Sequence, residues 1–178
     1  MDILQAGLAA FLMLLLGDFL STFAYHVPEH VFGRYHCVVH HSPNRSFVHY
    51  AIRKSKPQVL MPGFLGAFPY LALVPVLWGL SPLGVLLGLV LAELHVIWRH
   101  QFSPDYATPW WVQQLCWLFC ITTPERHYLH HCDGNVAFGD VFTFYGKPAK
   151  WWLQYLRQLK RQSLQIRLGR VPSEAHSD

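Results

Sequence analysis

Residues 3–30 read ILQAGLAAFLMLLLGDFLSTFAYHVPEH. From Ile3 to Tyr25 the run is apolar apart from Gln5, Asp18 and a few hydroxyls. As a helix rising about 1.5 Å per residue it covers roughly 35 Å, enough for the hydrocarbon core of a bilayer. It ends in His26 and His30, four residues apart, a spacing that puts both imidazoles on one helix face. Two questions follow: whether more apolar spans exist, and whether more histidines arrive at the same end.

Composition supports a membrane setting. Of 178 residues, 52% are hydrophobic and only 13% charged, the latter about half the usual share for a soluble domain. Twelve histidines stand beside fourteen Lys and Arg and ten Asp and Glu. The length suits one domain. No basic leader segment or small-residue cleavage site frames the first run, so a span is expected there rather than a cleavable signal. Cys37, Cys116, Cys120 and Cys132 form no CxxC pair, which argues against a zinc knuckle or a dithiol redox site. Cys116 and Cys120 lie four apart in an apolar run and read as helix packing.

Residues 58–79 form a second apolar run, with Pro62, Pro69 and Pro75 expected to kink it. Residues 82–101 form a third, separated from the second only by Leu80 and Ser81, so a tight hairpin is expected. Residues 109–122, PWWVQQLCWLFCIT, are too short for a span and are expected in the interface or as a re-entrant turn. None of the fourteen Lys and Arg precedes residue 34 or falls between 57 and 98. With the N-terminus outside and three crossings, every basic residue lands on one side, which the positive-inside rule makes cytoplasmic. Residues 148–168, PAKWWLQYLRQLKRQSLQIRL, mix aromatics and Leu with Lys and Arg at roughly helical spacing, as in a helix lying on a membrane. The aromatic content argues against a nucleic-acid arm.

The expected fold is therefore an all-α integral membrane protein. It has three to four transmembrane or re-entrant helices, a cytoplasmic histidine-rich helical cap and an interfacial amphipathic helix. Residues 1–168 form one membrane-embedded domain, and 169–178 a polar, disordered tail.

Ten of the twelve histidines fall in four clusters at the cytoplasmic end: His26 and His30; His36, His40 and His41; His95 and His100; His127, His130 and His131. Spacings of three and four let each cluster aim its rings at one point, and the five-residue interval of His95 and His100 is a poorer match. Neutral imidazole suits Fe, Zn, Cu and Ni. Four ligands saturate a structural zinc, so ten fit two ions. His49 and His176 stand outside the clusters. HExxH and ExxH are both missing, which excludes the zinc-protease motif and the carboxylate-bridged bundle. Asp18, Glu29, Glu93, Asp105, Glu125, Asp133 and Asp140 lie near the clusters and could orient rings from behind. Helix capping serves equally well for Glu125 and Asp133.

HxxxH, HxxxHH and a distal HxxHH resemble the membrane di-iron oxygenases, and most closely the fatty acid hydroxylase (sterol desaturase) superfamily. Asp18 lies eight residues before His26, HHS stands at 40–42, and TPERHYLHHCDGNVAFGDVFTFYG at 123–146 resembles the family's last box with its following Asn and Gly. The resemblance covers roughly residues 15–147. The family's second box is HxxHH, which would place histidine where Cys37 stands; the wider desaturase pattern allows the spacing of His36. HVIWRHQFSP and VAFG are similar to segments of bacterial β-carotene hydroxylases.

The resemblance implies two irons, replaceable by zinc in purified protein, held by His26, His30, His36, His40, His41, His95, His100, His127, His130 and His131. It implies Asp18, Asn135 and Asp140 in support, O2 as co-substrate, and hydroxylation or desaturation of an apolar lipid such as a fatty acyl chain or sterol-like lipid. A carotenoid or other isoprenoid substrate is the alternative. Electrons must come from an external donor, because no flavin, Fe–S or haem motif is present, and the basic face suits an acidic protein such as ferredoxin. A metal-binding assembly factor without turnover is the rival reading. A metal transporter fits less well, because the histidines gather at one depth rather than along a path.

The charge asymmetry predicts that a cysteine placed near Ser81 reacts with an impermeant reagent from outside the cell, while one near Ser163 does not. The reverse pattern would invert the topology.

Overall fold

The computed structural model describes residues 2–33, 36, 60–101 and 105–168. His40, His41, His49 and His176, Cys37 and the polar tail from 169 lie outside them. Among the described residues the chain is helical, and its one strand-like feature is an isolated antiparallel bridge between Ile121 and Phe142.

Helix α1 (Ile3–Leu20) starts at Asp2, whose side chain accepts from the Leu4 N–H. It runs through a π-helical turn (Ser21–His26) into α2 (Val27–Phe32), a continuous rod of 30 residues. The widening has a local cause. Pro28 has no N–H to give the Ala24 carbonyl, and the Val27 N–H instead reaches back five residues to Thr22. Such wide turns are rare and recur at functional sites. The sequence reading did not anticipate this one.

Helix α3 (Leu60–Trp78) continues through Pro69 and Pro75. A turn of three residues leads to α4 (Pro82–Arg99), capped by Ser81, whose hydroxyl accepts from the Gly84 N–H at 3.2 Å. Proline in the first turn of α4 costs nothing, since that N–H has no helical partner. Then follow α5 (Trp110–Leu118), α6 (Pro124–Cys132), a 3₁₀ turn (Thr143–Tyr145) and α7 (Gly146–Arg167). Two rods, Ile3–Phe32 and Pro82–Arg99, are long and apolar enough to cross a bilayer. The apolar part of α3, Gly63–Trp78, is shorter, and α5 is shorter still.

The α1–α4 seam is built from small residues. Ala6, Ala9, Ala10 and Met13 are buried against Gly84, Val85 and Gly88. A Cβ on Gly84 would overlap the Ala6 carbonyl oxygen, and one on Gly88 would lie 2.7 Å from Met13 Cβ. Small residues let helix backbones approach where lipid provides no hydrophobic drive. The outward faces stay apolar: Phe11, Phe19, Phe64, Phe68, Leu86 and Val90 are exposed, a surface suited to hydrocarbon and costly in water. A second cluster, Val27, Val31, Phe138, Ala149, Leu153 and Leu156, clamps α2 to α7.

Gly84→Val should open this seam and lower stability by about 1–3 kcal/mol, read as thermal denaturation in detergent. Gly7→Ala, where an added Cβ meets nothing within 4 Å, should be neutral or slightly stabilising.

Candidate metal centre

Asp18 sits on the buried side of α1, fully shielded from solvent. Its Oδ1 accepts from the Asp140 N–H at 3.0 Å, and its Oδ2 accepts from the Val141 and Phe142 N–H groups at 3.0 and 2.6 Å. Thr22 Oγ1 donates to Oδ1 at 3.1 Å. One carboxylate thus fixes the backbone of a distant loop against the first helix. That loop pairs with residues 120–122: Thr122 N–H donates to the Val141 carbonyl and Thr143 N–H to the Cys120 carbonyl. Gly139, at φ +102°, makes the bend before it, where a Cβ would overlap the Phe142 carbonyl oxygen.

The docked loop places Asp140 beside the histidines. Its Oδ1 lies 2.8 Å from Arg99 Nη1 and 3.2 Å from His26 Nδ1. Burial alone would raise its pKa, but Arg99 first and His26 second hold the carboxyl well below the usual range.

Among the described residues seven imidazoles converge around it in two groups. His26, His30, His36 and His130 bring ligand nitrogens within 4.8 Å of one another, and so do His100, His127 and His131. In the first group His130 Nε2 stands 2.9 Å from His26 Nε2 and 3.2 Å from His30 Nε2. In the second, His127 Nε2 stands 3.1 Å from His100 Nε2 and 3.2 Å from His131 Nε2. Neighbouring nitrogens each about 2.1 Å from a shared ion stand about 3.0–3.4 Å apart.

The other ring nitrogens decide what these approaches mean. His130 Nδ1 lies 2.8 Å from the Val136 carbonyl oxygen, and His100 Nδ1 lies 2.7 Å from that of Val96. A carbonyl only accepts, so each Nδ1 carries the hydrogen. The carboxylate beside His26 Nδ1 assigns that ring the same way. In a neutral imidazole that carries its hydrogen on Nδ1, Nε2 is the accepting and metal-binding atom. His26 and His130 bring these atoms within 2.9 Å of each other, an approach that suits two ligands of one ion. Burial and then Arg99 push His100 down to about 4 and His127 well below its ordinary value, so both are neutral at neutral pH. Neutral, oriented, buried imidazoles are the form a metal binds, and the carbonyl and carboxylate partners are the usual orienting groups. The donor set fits a pair of metal ions.

The remaining candidates sort by position. His36 joins the first group, with its N–H 3.2 Å from Glu29 Oε2. His95 joins neither: its Nε2 lies 2.9 Å from the Thr122 carbonyl oxygen. Asn135 lies on an exposed turn, bonded to Asp133 and Arg157, and the neighbouring Val136 carbonyl meets His130 instead. Glu125 accepts from Thr108 N–H and Oγ1 at 2.7 and 3.0 Å and ties the segment before α5 to α6. Arg99 and the Val96 and Val136 carbonyls were missed by sequence reading. Arg99 carried a signal, being the one cation inside an otherwise uncharged stretch between Glu93 and His100; a carbonyl carries none.

A family model described as fatty acid hydroxylase matches residues 10–148. No curated protein and no solved structure matches the chain.

Asp18→Ala strands three buried N–H groups and should cost roughly 3–6 kcal/mol, seen as an early thermal transition with metal loss. His127→Gln should empty its site in metal analysis of purified protein. His95→Gln, whose amide can still donate to Thr122, should keep its metal.

Proposed function

Because the chain belongs to the fatty acid hydroxylase family, we propose that it is a membrane-bound di-iron enzyme that hydroxylates or desaturates an apolar lipid. The single observation that carries this reading is the convergence of seven histidines among the described residues into two groups whose ring nitrogens stand at metal-ligand spacing.

His26, His30, His36 and His130 would hold one iron and His100, His127 and His131 the other, with His40 and His41 completing the set. When bound, the irons supply the activation of O2 and the breaking of an unactivated C–H bond. The chain's own residues supply the rest. Asp140 and the Val96 and Val136 carbonyls hold Nδ1 of His26, His100 and His130 and so aim Nε2 of these three rings inward. Phe138, fully buried between His26, His30 and His130, packs their rings and keeps water out. A substrate such as a fatty acyl chain or sterol-like lipid would arrive sideways through the bilayer past the apolar faces of α1 and α4. It would present one carbon at the cytoplasmic membrane face. Hydroxylation consumes O2, two electrons and two protons and leaves water beside the alcohol. The electrons come from an external acidic donor, which the chain's net charge of +4 would attract.

Purified protein should carry about two metal ions per chain, with zinc replacing iron on overexpression because imidazole sites bind it more tightly than ferrous iron. With a ferredoxin-type donor and O2, lipid extracts should show a product gaining an oxygen or losing two hydrogens by mass spectrometry. Alanine at His127, His130 or His131 should abolish it. Full metal loading with no product from acyl, sterol or carotenoid lipids would favour the assembly-factor reading.

A further inference from the structure

Helix α7 presents three sectors when its residues are wound at about 100° each. Ala149, Leu153 and Leu156 are buried against α2. A second sector, Trp151, Tyr155, Leu159 and Ile166, stays bare: Trp151 is 67% exposed, Tyr155 52% and Ile166 70%. A third carries Lys147, Lys150, Arg157 and Arg161, all exposed. The helix holds no Asp or Glu, so nothing within it neutralises this stripe. We propose that α7 is a membrane-surface brace, its bare aromatic strip sunk in the bilayer and its basic stripe bound to anionic phospholipid headgroups.

The strip is continuous with the surface that faces lipid. Trp152 stacks on Tyr155 and donates its Nε1–H to the Phe23 carbonyl at 2.9 Å. Tyr145, just before α7, donates its hydroxyl to the Leu15 carbonyl at 3.1 Å and packs on Phe19 and Phe23. The exposed apolar side of α1 therefore runs directly into the exposed apolar side of α7. A helix with one apolar and one cationic exposed sector lies in the interface plane, where hydrocarbon takes the first and phosphate the second. A zwitterionic headgroup offers phosphate too but balances it with its own cation, so the net attraction comes from anionic lipid.

The brace acts on the histidine frame. Lys160 donates to the Val31 carbonyl, one residue past His30. Arg157 Nη1 donates to Asn135 Oδ1 at 2.7 Å, on the turn whose next carbonyl holds His130. Headgroup binding stabilises the docked α7, and through it the positions of His30 and His130. This inference rests on the membrane setting and not on the reaction.

The test uses the full metal-loaded chain in nanodiscs of phosphatidylcholine, alone or mixed with phosphatidylglycerol. Amide hydrogen exchange in α7 should slow by about tenfold or more with the anionic lipid, and added salt should reverse the change. Metal release to a chelator should slow in parallel. Lys147→Gln/Lys150→Gln/Arg161→Gln, which spares Arg157, should behave in both lipids as the parent does in phosphatidylcholine alone. Brominated lipid should quench the part of the tryptophan emission that Trp151→Phe removes. Equal exchange in the two lipids would overturn headgroup binding, and an unquenched Trp151 would overturn the buried strip. Protection that instead rises with protein concentration in detergent would assign the face to a second copy of the chain and overturn the proposal.

Discussion

Everything around the histidines hangs on one carboxylate accepting three consecutive backbone N–H groups. Asp18 is buried in the first helix, where protein, not water, surrounds it. A charge there is tolerated only if its lone pairs are filled, and the N–H groups of residues 140–142 fill them. The bargain is mutual, because those N–H groups have no ladder to join. The loop they belong to carries Asp140 on one side and Tyr145 and α7 on the other. Position that loop, and Asp140 reaches His26 and Arg99, Thr122 receives His95, and α7 closes on α2.

The two histidine groups gather ring nitrogens at metal-ligand spacing. Carbonyls occupy Nδ1 of His100 and His130 and turn Nε2 of those rings toward the other histidines. Arg99, buried beside them, makes protonation harder still. The frame thus disfavours protonation of His100 and His127. Arg99 is itself held by Asp140, so the same carboxylate that orients His26 also tempers the cation that adds to burial in keeping His100 and His127 neutral.

Helical periodicity and hydropathy made the broad architecture legible. The first and third apolar runs are α1 and α4, the two-residue gap at Leu80 and Ser81 is a tight connection, and the amphipathic segment is α7. The histidine clusters were legible because spacings of three and four have one geometric meaning on a helix. His95 and His100 show the limit. Both lie near the end of α4, and their five-residue interval turns one toward the second group and the other toward a carbonyl. Asn135 shows another: its place in a motif says nothing of which atom of its neighbourhood meets His130.

The sequence alone determined the apolar rods, the segregation of basic residues and the four histidine clusters, because each depends on residues close together in the chain. Tertiary structure decided which clusters share a site, pairing His26, His30 and His36 with His130 across about a hundred residues and His100 with His127 and His131. It also decided which nitrogen of each ring faces inward, through carbonyls that have no signature in sequence. The π-helical turn, the fold-back of residues 140–142 onto Asp18 and the burial of Arg99 arise only when distant segments compete for the same few hydrogen-bond partners in a space without water.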